Sequence, residues 1–246
     1  MKTLSLLFFT LGVSVQLLAQ TRRMTHSDQS LRIAEEYYVL KADKQIKQGK
    51  YTAYDYYNLH RVLCRGYYKN NLRDSLWINY GYNNQVIDSG RYHEGKKVGI
   101  WTAYSNNKPE IKYDYTKNEL LLYKSKAADK KMFTIITGDS TQKVLLDRPP
   151  VYLSGTTGFY NSISRNISYP VSARRIGLEG KVMVSFVINA DGHPSDYKVK
   201  ESLSPSVDAE ALRVITLLSG DWLPGMYQGK PVAVQYNLPI TFGLAN

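Results

Sequence analysis

Along the first half of the chain, short aromatic runs alternate with turn residues, and the runs repeat one another. KYTAY at residues 50–54 returns as IWTAY at 100–104, with LWINY at 76–80 between them, so aromatic-x-x-Tyr units begin at Tyr51, Trp77 and Trp101. Between the runs stand Lys69-Asn70-Asn71, Tyr82-Asn83-Asn84, Glu94-Gly95-Lys96 and Ser105-Asn106-Asn107. Such clusters are hairpin chemistry at a regular spacing, because asparagine and glycine tolerate the left-handed backbone that tight turns need. The period of about two dozen residues accommodates two strands and two turns. This predicts an all-β meander of hairpin repeats over residues 36–124. Residues 125–147 read as a junction, Lys-rich at first and then carrying two strand-like runs, MFTII and KVLL, around a GDST turn. Arg148-Pro149-Pro150 marks a boundary, since consecutive prolines stop either kind of regular element.

The second half changes period. Phe159, Ile163 and Ile167 fall at helical spacing, and Pro170 suits the first turn of a further helix, with Gly177 and Gly180 bracketing its exit. KVMVSFVI follows with apolar residues on both faces, which predicts a central strand. Asp191-Gly192 is a hairpin turn leading to the antiparallel partner SDYKVKES. Val207, Ala211, Val214, Ile215 and Leu218 form a helical stripe, with Gly220 as its stop. A loop with Trp222, Pro224 and Gly229 leads to the last strand, residues 232–242. The order helix, strand, strand, helix, strand describes a small α+β domain over residues 148–246. Pro239 cannot donate a ladder hydrogen bond, so the closing VQYNLPITF is expected at a sheet edge, with Val232, Val234, Tyr236 and Leu238 turned to the core and its free side as the working surface.

The beginning, MKTLSLLFFTLGVSVQLLAQ, has one basic residue (Lys2), an apolar stretch over residues 4–19 and Ala19 at a cleavable position. That stretch makes about 24 Å of helix against a hydrocarbon core of about 30 Å, so residues 1–19 read as a cleaved export signal. Without cleavage the protein is membrane-anchored. Composition is ordinary for a globular chain, at 43% hydrophobic and 22% charged, except for tyrosine, with 21 residues against 6 Phe and 3 Trp. Tyrosine buries its ring and keeps its hydroxyl wet, which favours sheets with one solvated face. Cys64 is the sole cysteine, so no internal disulfide forms, and it reads as a small buried hydrophobe. The net charge of +11 is scattered, with only the pairs Arg22-Arg23, Lys96-Lys97 and Lys130-Lys131 as dense spots. An exported basic protein of this kind favours anionic envelope surfaces or cell wall rather than nucleic acid.

Catalytic chemistry finds no support. His26, His60, His93 and His193 lie in separate segments without metal-ligand spacing, Ser154-Gly155 lacks a nucleophile elbow, and Asp191-Gly192-His193 reads as a turn. The sequence therefore predicts no enzyme, no cofactor and no metal site.

Two resemblances sharpen these expectations. Residues 36–124 resemble the MORN-like repeats of bacterial envelope proteins, with Gly90, Tyr92, Gly95, Gly99, Trp101 and Tyr104 as the best copy and Asn71 replacing a glycine in the one before. The resemblance implies an elongated single-layer sheet whose aromatic rows pack on one another. From about Arg148 to Leu244 the chain resembles the C-terminal domain of TonB-family energy transducers, in the form common in Bacteroidetes. Tyr169-Pro170, Ala173-Arg174, Gly177, Glu179-Gly180, Asp191-Gly192, Glu210-Ala211, Trp222-x-Pro224-Gly225, Gly229-x-Pro231 and Gln235-Tyr236-x-x-Pro239-Ile240-x-Phe242 carry it. That resemblance implies a periplasmic domain gripping the TonB box of an outer-membrane transporter by β-strand addition along the last strand. The implied contact residues are Val232, Ala233, Val234, Gln235, Tyr236, Asn237, Leu238 and Ile240, with Ser168, Tyr169 and Pro170 nearby. A transducer's inner-membrane anchor and long proline-rich spacer have no counterpart in this reading, so force transmission is not implied. The alternative expectation is an envelope scaffolding protein binding lipid, glycan or protein through its repeat sheet, and a homodimer is compatible with either reading.

Overall fold

The computed structural model of the chain describes residues 20–218 and 221–244. The export signal expected at residues 1–19 and the helix stop expected at Gly220 lie outside the described residues. The chain divides into two compact units between Leu122 and Tyr123.

The first unit is a meander of nine antiparallel strands, each beside the next: β1 (Thr21–Asp28), β2 (Ile33–Leu40), β3 (Lys47–Asp55), β4 (Val62–Lys69), β5 (Leu72–Tyr80), β6 (Val86–His93), β7 (Lys96–Ser105), β8 (Lys108–Asp114) and β9 (Glu119–Tyr123). The expected turn asparagines do the expected work. Asn70, Asn71, Asn83, Asn84, Asn106 and Asn107 all have φ between 48° and 66°, the left-handed region a hairpin turn requires.

One lateral row holds this sheet together. Tyr37 pairs with Tyr51, Tyr51 with Gly66, Trp77 with Gly90, and Trp101 with Tyr113. Gly66 and Gly90 sit at register shifts, and the tryptophan of the following strand lies flat over each. A Cβ on Gly66 would stand 2.2 Å from the Trp77 ring, and one on Gly90 2.2 Å from that of Trp101. The indoles are further enclosed by edge-to-face tyrosines: Tyr68, Trp77, Tyr92, Trp101 and Tyr115 follow one another at centroid distances of 5.3, 5.8, 5.1 and 6.2 Å. Trp77 is thus only 1% exposed and Trp101 5%, enclosed within a cluster of this sheet's own residues. Each indole N–H donates to a backbone carbonyl at the equivalent position, Trp77 to Tyr67 at 3.1 Å and Trp101 to Arg91 at 3.0 Å. Cys64 is half-buried against this cluster rather than fully enclosed.

The second unit contains β10 (Met132–Thr137), β11 (Ser140–Leu145), β12 (Val151–Tyr152), α1 (Gly155–Asn166), α2 (Val171–Arg175), β13 (Gly180–Ile188), β14 (Pro194–Glu201), α3 (Pro205–Thr216), β15 (Trp222–Leu223), β16 (Gly225–Tyr227) and β17 (Lys230–Phe242). Its main sheet runs β11-β10-β17-β13-β14, with β16 also on β17, while β12 and β15 form a separate pair. The α+β order read from the sequence is present. β13 is central, and Val182, Val184, Phe186 and Ile188 bury the face that α1 and α3 cover with Phe159, Ile163, Val207, Val214 and Ile215. Each large aliphatic buried there contributes roughly 1.5 to 3 kcal/mol. The turn at Asp191-Gly192 closes with Asn189 N–H donating to His193 O at 3.0 Å and Gly192 N–H to Asn189 O at 2.9 Å.

Two features differ from the sequence expectation. The MFTII and KVLL runs form the β10–β11 hairpin, which joins the main sheet by pairing Thr134 with Gln235, Ile135 with Val234 and Ile136 with Ala233. Consequently β17 is not an edge along its whole length. Its first residues pair with β16, Ala233 to Gln235 pair with β10, and residues 234–242 pair with β13. Pro239 bars a ladder bond only at its own position, so its demand for an open side is local, and the strand is paired on both sides before reaching it.

Candidate partner-binding edge

Among the described residues, β13 is the strand paired with residues 236–242, leaving the opposite side of that half of β17 open. Backbone groups of a strand alternate between its two sides. Pro239 has no N–H to give β13, which places its nitrogen on the open side. By alternation Asn237 and Thr241 direct their N–H and C=O groups there as well. These are the unmet donors and acceptors that an added strand requires. The other margins of the sheet are blunted: β14 carries two register shifts against β13, begins at Pro194 and bears Lys198 and Lys200, while β11 opens with the exposed polar run Ser140, Thr141, Gln142 and Lys143.

The open half begins at a cleft. Where β10 turns away from β17, a cavity of about 160 Å³ is lined by Lys131, Met132, Phe133, Thr134, Gln235, Tyr236 and Asn237. The Lys131 ammonium stands 5.2 Å from the centre of the Phe133 ring. Tyr236 packs at 5.5 Å against Phe186 and 5.9 Å against Trp222. Burial, with lesser contributions from Tyr160 and Asp129, raises its pKa, so its hydroxyl remains a neutral donor. On the sheet's other face Gln235 donates to Ser185 Oγ at 2.9 Å, which fixes the strand just before the cleft.

At its far end the edge meets the segment between α1 and α2. Tyr169 packs edge-on against Phe242 at 5.7 Å, and its hydroxyl donates to Leu178 O. Ser168 N–H donates to Glu210 Oε1 at 2.5 Å, and Glu210 is paired with Arg213 at 2.7 Å. Burial alone would raise the Glu210 carboxyl, but the hydrogen bonds from Arg213 and Ser168 outweigh it and hold it below the usual range. Arg213 also donates to Asn166 O at 2.6 Å, so α3 pins both ends of the turn leading to Pro170.

The structure brings Tyr169 to the end of β17 and sorts the other expected contact residues into two sets. Val232, Ala233, Val234 and Gln235 already have strand partners. Tyr236, Asn237, Leu238 and Ile240 belong to the open half, but Leu238 and Ile240 are buried at 2% and 3% exposure and offer a partner only backbone. The sequence reading did not place the MFTII strand beside the last strand, nor did it include the Glu210 anchor. The apolar alternation of MFTII signalled a strand, but no local pattern names a partner strand a hundred residues away.

Residues 165–244 match the model of the family described as Gram-negative bacterial TonB protein C-terminal. The second unit holds a TonB-family C-terminal domain. Two solution NMR structures of the Helicobacter pylori TonB C-terminal domain are similar to it. The longer form is 31% identical, over 35% of this chain and 78% of that chain, with a TM-score of 0.30. The shorter is 29% identical, over 35% of this chain and 89% of that one, with a TM-score of 0.28. No curated protein gives a significant match. TonB-family C-terminal domains are non-enzymatic, periplasmic interaction domains of Gram-negative bacteria that interact with outer-membrane transporters in general. In this chain the matched stretch of the TonB-type domain starts near the end of α1, so the β10–β11 hairpin lies outside it.

Elsewhere, His93 lies 3.7 Å from Asp74 and His193 3.3 Å from Asp191, both in exposed positions. No helix among the described residues is long and apolar enough to cross a membrane.

Proposed function

We propose that the TonB-type domain works in the periplasm, capturing an extended segment of an outer-membrane transporter, its TonB box, by strand addition along residues 236–242, and so contributes to TonB-dependent transport. The half-paired last strand is the observation that carries this reading. Its unpaired side presents the backbone groups of Asn237 and Thr241, between a cleft at Tyr236 and the Tyr169–Phe242 contact. The Ser168, Tyr169 and Pro170 turn borders the added strand, and Val232, Ala233, Val234 and Gln235 hold the edge in place through their own pairing. Backbone bonds over one short strand bury modest area, so affinity is expected in roughly the micromolar range. Fluorescence anisotropy of labelled peptides from transporter N-terminal segments of the same organism tests this with the full chain. Asn237→Pro, which removes a donor on the open side, should weaken binding at least about tenfold, a loss of ~1.4 kcal/mol. Absence of binding by all such peptides would overturn the reading.

A second reading, in which the first unit's sheet is itself an envelope-binding surface, is favoured by one feature. Lys47, Arg73 and Lys97 lie 4.5, 4.5 and 4.8 Å from the ring centres of Tyr37, Trp77 and Trp101. They recur on every second strand, about 10 Å apart, along one aromatic face. Such a row suits a repeating anionic glycan of the cell wall. Cosedimentation of the full chain with purified cell wall, lost in the triple variant Lys47→Met, Arg73→Met, Lys97→Met, checks it.

A further inference from the structure

We propose that the β10–β11 hairpin is a register stop for the added strand: a partner pairs with residues 236–242 only, end to end with β10. This rests on the strand-addition reading above. β10 already occupies the flank of β17 that a partner would use, through Thr134, Ile135 and Ile136 opposite Gln235, Val234 and Ala233. One strand flank cannot satisfy two partners at the same residues, so an added strand begins where β10 leaves.

The hairpin is built to stay. β10 pairs with β11 along its full length, from Met132 opposite Leu145 to Thr137 opposite Ser140. Phe133, Ile135 and Val144 are 7%, 5% and 5% exposed in a cluster completed by Leu146 and Val234. Displacing β10 would expose that cluster, whereas the open half of β17 accepts a strand with nothing to remove. The cleft at the point of divergence is then the seat for the leading side chain of the partner. Lys131 and Asn237 are among the residues lining it, so the class of ligand that fits is a short extended peptide entering with an acidic or amide side chain. The hairpin lies outside the family match at residues 165–244.

Amide hydrogen exchange on the isotopically labelled full chain tests this, with heptapeptides and undecapeptides taken from transporter N-terminal segments of the same organism as probes. Exchange should slow at Asn237 and Thr241, and resonances of Met132 and Phe133 should shift. Thr134 and Ile136 should keep their exchange rates, and the longer peptides should bind within about twofold of the shorter ones. Faster exchange at Thr134 and Ile136 on binding, or undecapeptides binding about tenfold tighter or more, overturns the stop while leaving strand addition standing. No change at any of these residues with either peptide set removes both.

Discussion

The two units bury a sheet face by opposite means. In the second, helices α1 and α3 cover β13 and β17, and the interior is mostly aliphatic, with Phe159, Phe186, Trp222 and Phe242 among the aliphatic side chains. In the first, the sheet covers itself: Trp77 and Trp101 lie over glycines of the neighbouring strand, tyrosines close in edge-on, and cations cap the rings. A helix-covered core tolerates small additions poorly and deletions worse, because deletion leaves a cavity. A self-covered face inverts that order, since the missing side chain at Gly66 and Gly90 is the space the indole fills.

The strongest way to break the comparison is therefore an addition. Gly90→Val should evict the Trp101 ring and cost about 3 to 5 kcal/mol, the range for losing a buried aromatic. Urea unfolding followed by tryptophan emission reads it, and a loss under about 1 kcal/mol would contradict the ring-on-glycine account. In the helix-covered unit the matching test is a deletion. Ile215→Ala, at a position only 2% exposed, should cost about 2 to 4 kcal/mol by leaving a cavity beneath α3. Smaller still is the cation cap. Arg73→Met keeps the apolar stem but loses the guanidinium over Trp77 and its 3.2 Å bond to Tyr92, for about 0.5 to 1 kcal/mol.

The smallest effect is a response of the second unit to pH. Glu210 has a depressed pKa in the fold, so its hold on Ser168 is complete above the ordinary glutamate value of 4.5 and is lost as pH falls through the lower folded value. The Ser168 amide resonance should titrate with a midpoint below 4.5, and a midpoint at or above it would exclude the carboxylate anchor.

What the sequence disclosed follows the same division. The aromatic-x-x-Tyr spacing identified Tyr51, Trp77 and Trp101, which are core residues of the first unit, because a meander pairs each strand with its sequence neighbour. In the second unit the alternation in VMVSFVI and the helical stripe ending at Leu218 placed the core correctly, since burial follows local period. Pro239 correctly signalled an open side, but not that it begins only after Gln235. Pairing between Thr134 and Gln235 depends on the tertiary arrangement, which periodicity along either strand does not encode. The bond from Ser168 to Glu210 escaped notice for the same reason.

The central claim, that the second half of the last strand is a strand-accepting edge, is tested most directly by mapping bound peptide onto individual amides. Titrating transporter N-terminal peptides into the isotopically labelled full chain should give saturable shifts concentrated at Asn237, Leu238, Ile240 and Thr241, with Tyr169 following. Saturable binding whose shifts fall instead on the edge strands β11 and β14, with residues 236–242 unmoved, would contradict it.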